Sequence, residues 1–234
     1  MTPAEARAHA FVTDLAEPAL EADDRHHLQR VLRMRPGDEL TVSDGEGGWR
    51  PCRLGTGGAL EPLAEAEHDP IPAPSVAVCF ALVKGDRAEW IVQKLTELGV
   101  DRITPFAAAR SVVSWDGAKA GRQHARLTAI ARGAAMQSRR TWLPTVDPLA
   151  TFAQVTGLSG AALAERGGSP PSLGCPTVLV GPEGGWAADE LACGLSTVAL
   201  GTGVLRVETA AVTAGALLTA LRAGLVGNVP SISR

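Results

Sequence analysis

The chain has 234 residues, enough for one or two domains, and 45% of them are hydrophobic, enough to fill a core. A formal net charge of −3 excludes a protein that is basic throughout, so any nucleic-acid contact has to come from local clusters of cations. Cys52, Cys79, Cys175 and Cys193 form no C-x-x-C pair and the five histidines lack ligand spacing, which excludes a recognisable zinc site or disulfide framework.

Residues up to about 70 read as a small β-rich unit. Phe11 and Val12 suggest a first strand, and Asp23 or Asp24 can cap a short helix carrying His26, Leu28, Val31 and Leu32. Residues 35–38 make a turn, residues 39–43 alternate as a strand, Asp44-Gly45 opens a hairpin loop, and residues 49–54 return. The stretch Asp69-Pro70-Ile71-Pro72-Ala73-Pro74 is a stiff linker, which sets the expected domains at residues 1–70 and 75–234. Residues 1–14 lack an apolar signal core, and the apolar stretch 210–226 is interrupted by Arg222. The expectation is a soluble, reduced, cytoplasmic protein without a membrane or metal partner.

Beyond the linker the periodicity changes to an α/β pattern. Residues 76–83 form an apolar strand; residues 87–98 place Ile91, Leu95 and Leu98, with Val92, on one helical face, and Gly99 is a plausible helix stop. Residues 100–106 read as the next strand, so the β-α-β order predicts a parallel sheet. A helix over 122–137 turns Leu127, Ile130 and Ala134 inward. Residues 160–164 suggest a strand, residues 166–176 a Gly/Ser/Pro loop, residues 197–200 a strand, and a final helix starts near Thr209.

The stretch 177–186, Thr-Val-Leu-Val-Gly-Pro-Glu-Gly-Gly-Trp, is the most informative. Val178, Leu179 and Val180 suit a strand buried on both faces, and the run stops at Gly181-Pro182. Such a loop at the carboxyl end of a parallel strand is where ligands bind, although a bare strand-to-helix turn would look the same. Glu183 would repel a polyphosphate and there is no phosphate-loop Lys-Ser/Thr, so a ligand here is expected to be neutral or cationic. A second strand-end loop runs from Leu200 through Arg206 to Glu208 and Thr209, which can cap the last helix. Arg206 stands between Leu205 and Val207 and needs a partner, for which Glu183 or Glu208 is the candidate. Two basic clusters, one of Arg25, Arg30, Arg33 and Arg35 with His26 and His27, the other of Arg122, Arg126, Arg132, Arg139 and Arg140, fit either solvated faces or a phosphate backbone. With no tyrosine and 4% aromatic residues, a base-stacking platform is not expected.

Taken together, several motifs make the chain resemble the RsmE-type 16S rRNA (uridine-N3) methyltransferases of the SPOUT superfamily. They are Arg25-His26-His27-Leu28 with Val31-Leu32-Arg33; Gln93-Lys94 with Glu97-Leu98-Gly99-Val100; Gln137-Ser138-Arg139-Arg140; Gly181-Pro182-Glu183-Gly184-Gly185; and Leu200-Gly201 with Val204-Leu205-Arg206 and Glu208-Thr209-Ala210. The resemblance implies a small amino-terminal PUA-like β-barrel, a carboxyl-terminal α/β SPOUT domain with a trefoil knot, a homodimer, S-adenosylmethionine as cofactor and 16S rRNA or the small ribosomal subunit as partner. It implies that Val180, Gly181, Pro182, Glu183, Gly184, Leu200, Gly201, Val204, Leu205 and Arg206 hold the cofactor. Arg25, Arg30, Arg33, Arg132, Arg139 and Arg140 would meet RNA. Arg206 would stabilise charge on the target base, and Glu208 is either a base or a helix cap. The chain departs from the family pattern in the second loop, where Thr202 and Gly203 replace Pro-Arg and Val207 replaces Thr, and at Ala109, where Glu often precedes Arg110. The alternatives are a SPOUT methyltransferase of another RNA position, such as a ribose 2′-OH, and a non-catalytic RNA-binding assembly factor.

Overall fold

The computed structural model describes residues 1–227, which divide into two compact units, one of Met1–Ile71 with Arg132–Leu143 and one of Pro72–Ala131 with Pro144 onward. The first unit breaks off between Ile71 and Pro72, and residues 132–143 return to it, a return that nothing in the local sequence announces.

The first unit is a sheet of β1 (His9–Phe11), β2 (Glu39–Ser43), β3 (Gly48–Leu54) and β4 (Leu60–Pro62) in that order, with β5 (Glu67–His68) pairing to β3. β1 runs parallel to β2, and the hairpin β2–β3 is antiparallel as expected. Leu28, Leu40, Val42, Cys52 and Leu54 form its core. Between β1 and β2 lies α1 (Ala22–His26), extended by a π-helical turn over His27–Val31. Neither Asp23 nor Asp24 caps it: Glu21 is the N-cap without a side-chain bond, and Asp24 lies in the first turn. The Asp24 carboxylate is taken instead by Arg132, whose Nη1 and Nη2 donate to it at 2.9 and 2.6 Å. Residues 132–143 are bound into this unit further by Thr141, whose Oγ1 donates to Asp69 at 2.6 Å and whose carbonyl accepts from Ser43 Oγ at 2.9 Å.

The second unit follows the α/β alternation. Its elements are β6 (Ala77–Ala81), α2 (Arg87–Glu97), β7 (Arg102–Ala107), α3 (Gly117–Ser138), β8 (Thr145–Val146), β9 (Ala150–Thr151), α4 (Phe152–Thr156), β10 (Ala161–Ser169), β11 (Thr177–Val180), α5 (Ala188–Leu191), β12 (Ser196–Val198) and α6 (Val207–Arg222). The last residues of α3, from Arg132, cluster with the first unit. The strand order is β12-β10-β11-β6-β7-β8 with β9 on β7, and every pair is parallel. Both faces are covered: Val78, Ile91, Leu95, Val178 and Leu218 fill one side, and Cys79, Phe106, Val155, Leu179 and Trp186 the other. That double burial explains the unbroken apolar runs of β6 and β11, in which all residues are buried.

Several boundaries differ from expectation. α3 begins at Gly117 rather than near 122, and α6 begins at Val207 rather than near 209. β10 continues through Arg166 to Ser169, where a loop was expected. The cause is its neighbour. β10 pairs with β12 through a register shift between Ala164 and Ser169, and a Cβ on Gly168 would lie 2.7 Å from the Thr197 backbone. The glycines there admit close strand approach at a bulge rather than ending the strand.

Candidate active site

Because all strands of the second sheet run one way, the loops after β6, β10, β11 and β12 emerge at one edge, the place where open parallel sheets bind ligands. The loop after β11 is built around Trp186. Its indole stacks on Phe106 with centroids 6.1 Å apart, and its Nε1 donates to the Ala164 carbonyl at 3.0 Å. A Cβ on Gly181 would come within 2.8 Å of this indole, so Gly181 is required by packing of the loop against its own tryptophan. Gly185 supplies the positive φ of +69° that closes the turn. Glu190 is 3% exposed and accepts from the Ala109 and Ala187 amides, each at 2.8 Å, which ties this loop to the one after β7. Arg110 adds a bond to the Gly184 carbonyl at 3.1 Å.

Between this loop and the one after β12 lies a cleft of about 340 Å³, within the range of small-molecule sites. Val180, Gly181, Pro182, Glu183 and Gly184 line one wall, and Leu200, Gly201, Val204 and Leu205 line another. Of the positions expected to hold cofactor, only Arg206 is not on the wall: it is exposed and is the N-cap of α6. The structure also corrects its pairing. Glu183 Oε1 lies 2.7 Å from Arg87 Nη1, and Glu208 Oε1 lies 3.8 Å from Arg87 Nε, so both carboxylates expected at Arg206 face a different arginine. Glu208 lies in the first turn of α6, off the cleft wall, and its Oε2 is buried with no hydrogen-bond partner.

The donor set suits a cofactor that is cationic and carries no phosphate. The cleft has apolar surface in Val180, Leu200, Leu205 and Ala210, and among the described residues its basic wall residue is Arg166, while Glu165 and Glu183 are acidic. Among the described residues no group of three or more His, Cys, Asp or Glu could hold a metal ion.

Comparison with known proteins accords with this geometry. The family model of the RNA methyltransferase domain matches residues 70–219, and that of the RNA methyltransferase PUA domain matches residues 20–59. The chain belongs to the RNA methyltransferase family. It is similar to the ribosomal RNA small subunit methyltransferase E of Mycobacterium tuberculosis, 34% identical over 85% of this chain and 84% of the relative. It is likewise similar to that of Synechocystis, at 36% over 84% of this chain and 70% of the relative. Among solved structures, the methyltransferase E of Neisseria gonorrhoeae bound to S-adenosylmethionine superposes with a TM-score of 0.77 at 29% identity, covering 92% of this chain and 97% of that one. A Legionella pneumophila protein solved with bound cofactor SAM gives a TM-score of 0.76 at 26% identity, over 91% of this chain and 96% of that one.

In this RNA methyltransferase the arginines expected to meet RNA divide into two groups. Arg25, Arg30 and Arg33 are exposed on or beside the π-helical turn of the first unit, with Arg33 in the left-handed region at φ +53°. Arg132 is half-buried and already engaged within the first unit. Besides the two bonds to Asp24, its guanidinium lies 5.6 Å from the Phe11 ring centroid, and the Asp24 contact raises its pKa further. Arg139 is partly occupied too, with Nη1 donating to the Ala4 carbonyl at 3.1 Å, and Arg140 is half-buried. Sequence reasoning missed Ala164, Glu165 and Arg166 on the cleft wall, because they fall where β10 was expected to have ended. It also missed Arg87 and Glu190. Arg87 only opens the amphipathic pattern of α2, and Glu190 lies in the four-residue α5, too short to show a period.

Proposed function

We propose that the chain transfers a methyl group from S-adenosylmethionine to N3 of a uridine in the 16S rRNA of the small ribosomal subunit. The observation that carries this reading is the cleft between residues 181–186 and 200–206 at the carboxyl edge of the parallel sheet, in a fold that superposes on an S-adenosylmethionine-bound methyltransferase E. The relatives' printed name supplies the rRNA of the small subunit, and the resemblance read from the motifs supplies the uridine N3. That resemblance is also the support for a homodimer and a trefoil knot, and the ribosomal RNA in the relatives' name is the support for a cytoplasmic location. No helix among the described residues is long and apolar enough to cross a membrane.

When bound, S-adenosylmethionine supplies an electrophilic methyl group on a sulfonium. The cleft walls hold it: Val180, Leu200 and Leu205 offer apolar surface, and the glycines expose backbone groups. Val204 is 82% exposed at the lip, an apolar surface against which a base can pack. Uridine N3 must lose its proton to act as a nucleophile, which spreads negative charge over O2 and O4. Arg206, exposed at the amino end of α6, has a guanidinium suited to stabilise that charge. Glu208 faces Arg87 rather than the cleft, so its role here is to hold the loops, and the N3 proton passes to solvent water. Arg25, Arg30 and Arg33 of the PUA-like unit contact RNA phosphates.

The test is single-turnover transfer of labelled methyl to small subunits lacking the modification, followed by mass spectrometry of the nucleosides. N3-methyluridine is expected. Methyl on a ribose oxygen would replace the target by the 2′-O alternative, and cofactor-independent RNA binding without transfer would leave the assembly-factor reading. Arg206→Ala is expected to lower the rate on the order of a hundredfold, with the affinity for S-adenosylmethionine little changed. A loss no larger than that of Glu65→Ala, on the exposed surface of the first unit, would remove Arg206 from the mechanism.

A further inference from the structure

Arg87 is the first residue of α2, where a cation opposes the positive end of the helix dipole. A position unfavourable for the helix is offset only by what the side chain meets. Its Nη1 lies 2.7 Å from Oε1 of Glu183, in the middle of the loop after β11, and its Nε lies 3.8 Å from Oε1 of Glu208, at the start of α6 just beyond the loop after β12. These loops form facing walls of the cleft. One guanidinium therefore spans two segments that share no hydrogen-bonded strand pair, because β10 stands between β11 and β12. The Glu208 side chain is 17% exposed with its second oxygen unpartnered among the described residues, so Arg87 is the cation among them that faces this largely buried carboxylate. The Glu183 loop is held from its other side by Arg110 at the Gly184 carbonyl.

We propose that Arg87 is a positioning residue for cofactor binding: it sets the distance between the two loops through Glu183 and Glu208. The trio of one guanidinium and two carboxylates leaves one net negative charge beside the cleft, complementary to a sulfonium amino acid with one net positive charge. The inference rests on the methyltransferase reading and names a residue for the step that precedes chemistry.

The test is calorimetric titration of the purified chain with S-adenosylmethionine, repeated on Arg87→Ala, Arg87→Lys, Glu183→Gln and the Arg87→Ala/Glu183→Gln double variant. Arg87→Ala is expected to raise the Kd on the order of fivefold, roughly one well-placed ion pair. Arg87→Lys should recover part of the loss, since the point charge returns without the fork. The double variant should bind no more weakly than Arg87→Ala, because the two residues act through one contact. In steady-state transfer, KM for S-adenosylmethionine should rise by the same factor while kcat falls less. A merely structural Arg87 would shift the melting temperature and leave the Kd of the folded protein unchanged; that result, or losses that multiply in the double variant, would overturn the inference. Arg87→Gln keeps the aliphatic stem and carries the same test should the alanine variant fold poorly. Absence of binding by the unaltered chain would overturn the methyltransferase reading together with this inference, whereas binding by the unaltered chain and equally by Arg87→Ala would overturn this inference alone.

Discussion

His9 shows what one buried group does to this protein's pH response. It is 3% exposed, with Nδ1 2.8 Å from Thr41 Oγ1 and Phe11 edge-on at 5.4 Å. Burial, with the Arg139 charge adding to it and the Arg140 backbone opposing it, lowers its pKa to about 4. The unfolded chain, with an ordinary value near 6.5, binds the proton more readily, so stability is full above that value and is lost as pH falls toward 4. The loss is on the order of 3 kcal/mol. His9→Leu should flatten the slope of unfolding free energy between pH 4 and 6.5 in denaturant titrations; an unchanged slope would point to other groups. At this same scale the sequence misled about Arg206. Glu183 and Glu208 looked like its partners because they are its neighbours along the two loops, but Arg87, 96 positions before Glu183, takes both. Pairing across a sheet edge leaves no local pattern to read.

Elements were legible in proportion to their burial periodicity. α2 buries Ala88, Ile91, Val92, Leu95 and Thr96, and α6 buries Ala211, Ala214, Gly215 and Leu218, so helical spacing exposed both. The two-residue strands β8 and β9 and the five-residue α4 lie below what any period can show, and the capping box of Thr151 with Gln154 was their only local mark. Gly181-Pro182 was legible as the stop of the apolar run, but not the packing reason for the glycine, since Trp186 occupies the space a Cβ at Gly181 would need. Gly215 is the corresponding contact between helices. A Cβ there would meet Leu95 Cδ2 at 2.6 Å and Val100 Cγ2 at 3.1 Å. Gly215→Val is expected to cost on the order of 2 kcal/mol through overpacking, measured as a lowered denaturation midpoint. A midpoint that held or rose would mean that the pair has room to separate.

For the molecule as a whole, the first unit breaks off within the proline-rich stretch, whereas nothing in the sequence marks its return at residues 132–143. Asp24 is 6% exposed and its cation comes from Arg132, while Asp69 binds Thr141 and also accepts from Trp49 Nε1 at 3.2 Å. A fragment ending at Ile71 would retain the five strands and the Trp49–Asp69 bond but lose Arg132 and Thr141. Leaving Asp24 without its arginine alone costs on the order of 3 kcal/mol. Such a fragment is expected to melt without a cooperative transition in circular dichroism, and a sharp transition at the full chain's temperature would make residues 132–143 dispensable. The discontinuity also reaches back to how the chain is made. Domains usually complete themselves in the order they leave the ribosome. Here Pro72–Ala131 must be translated before Arg132, Thr141 and Trp142 arrive, so the unit that emerges first closes late, and a chain released only as far as Ile71 would carry all its strands without the segment that completes them.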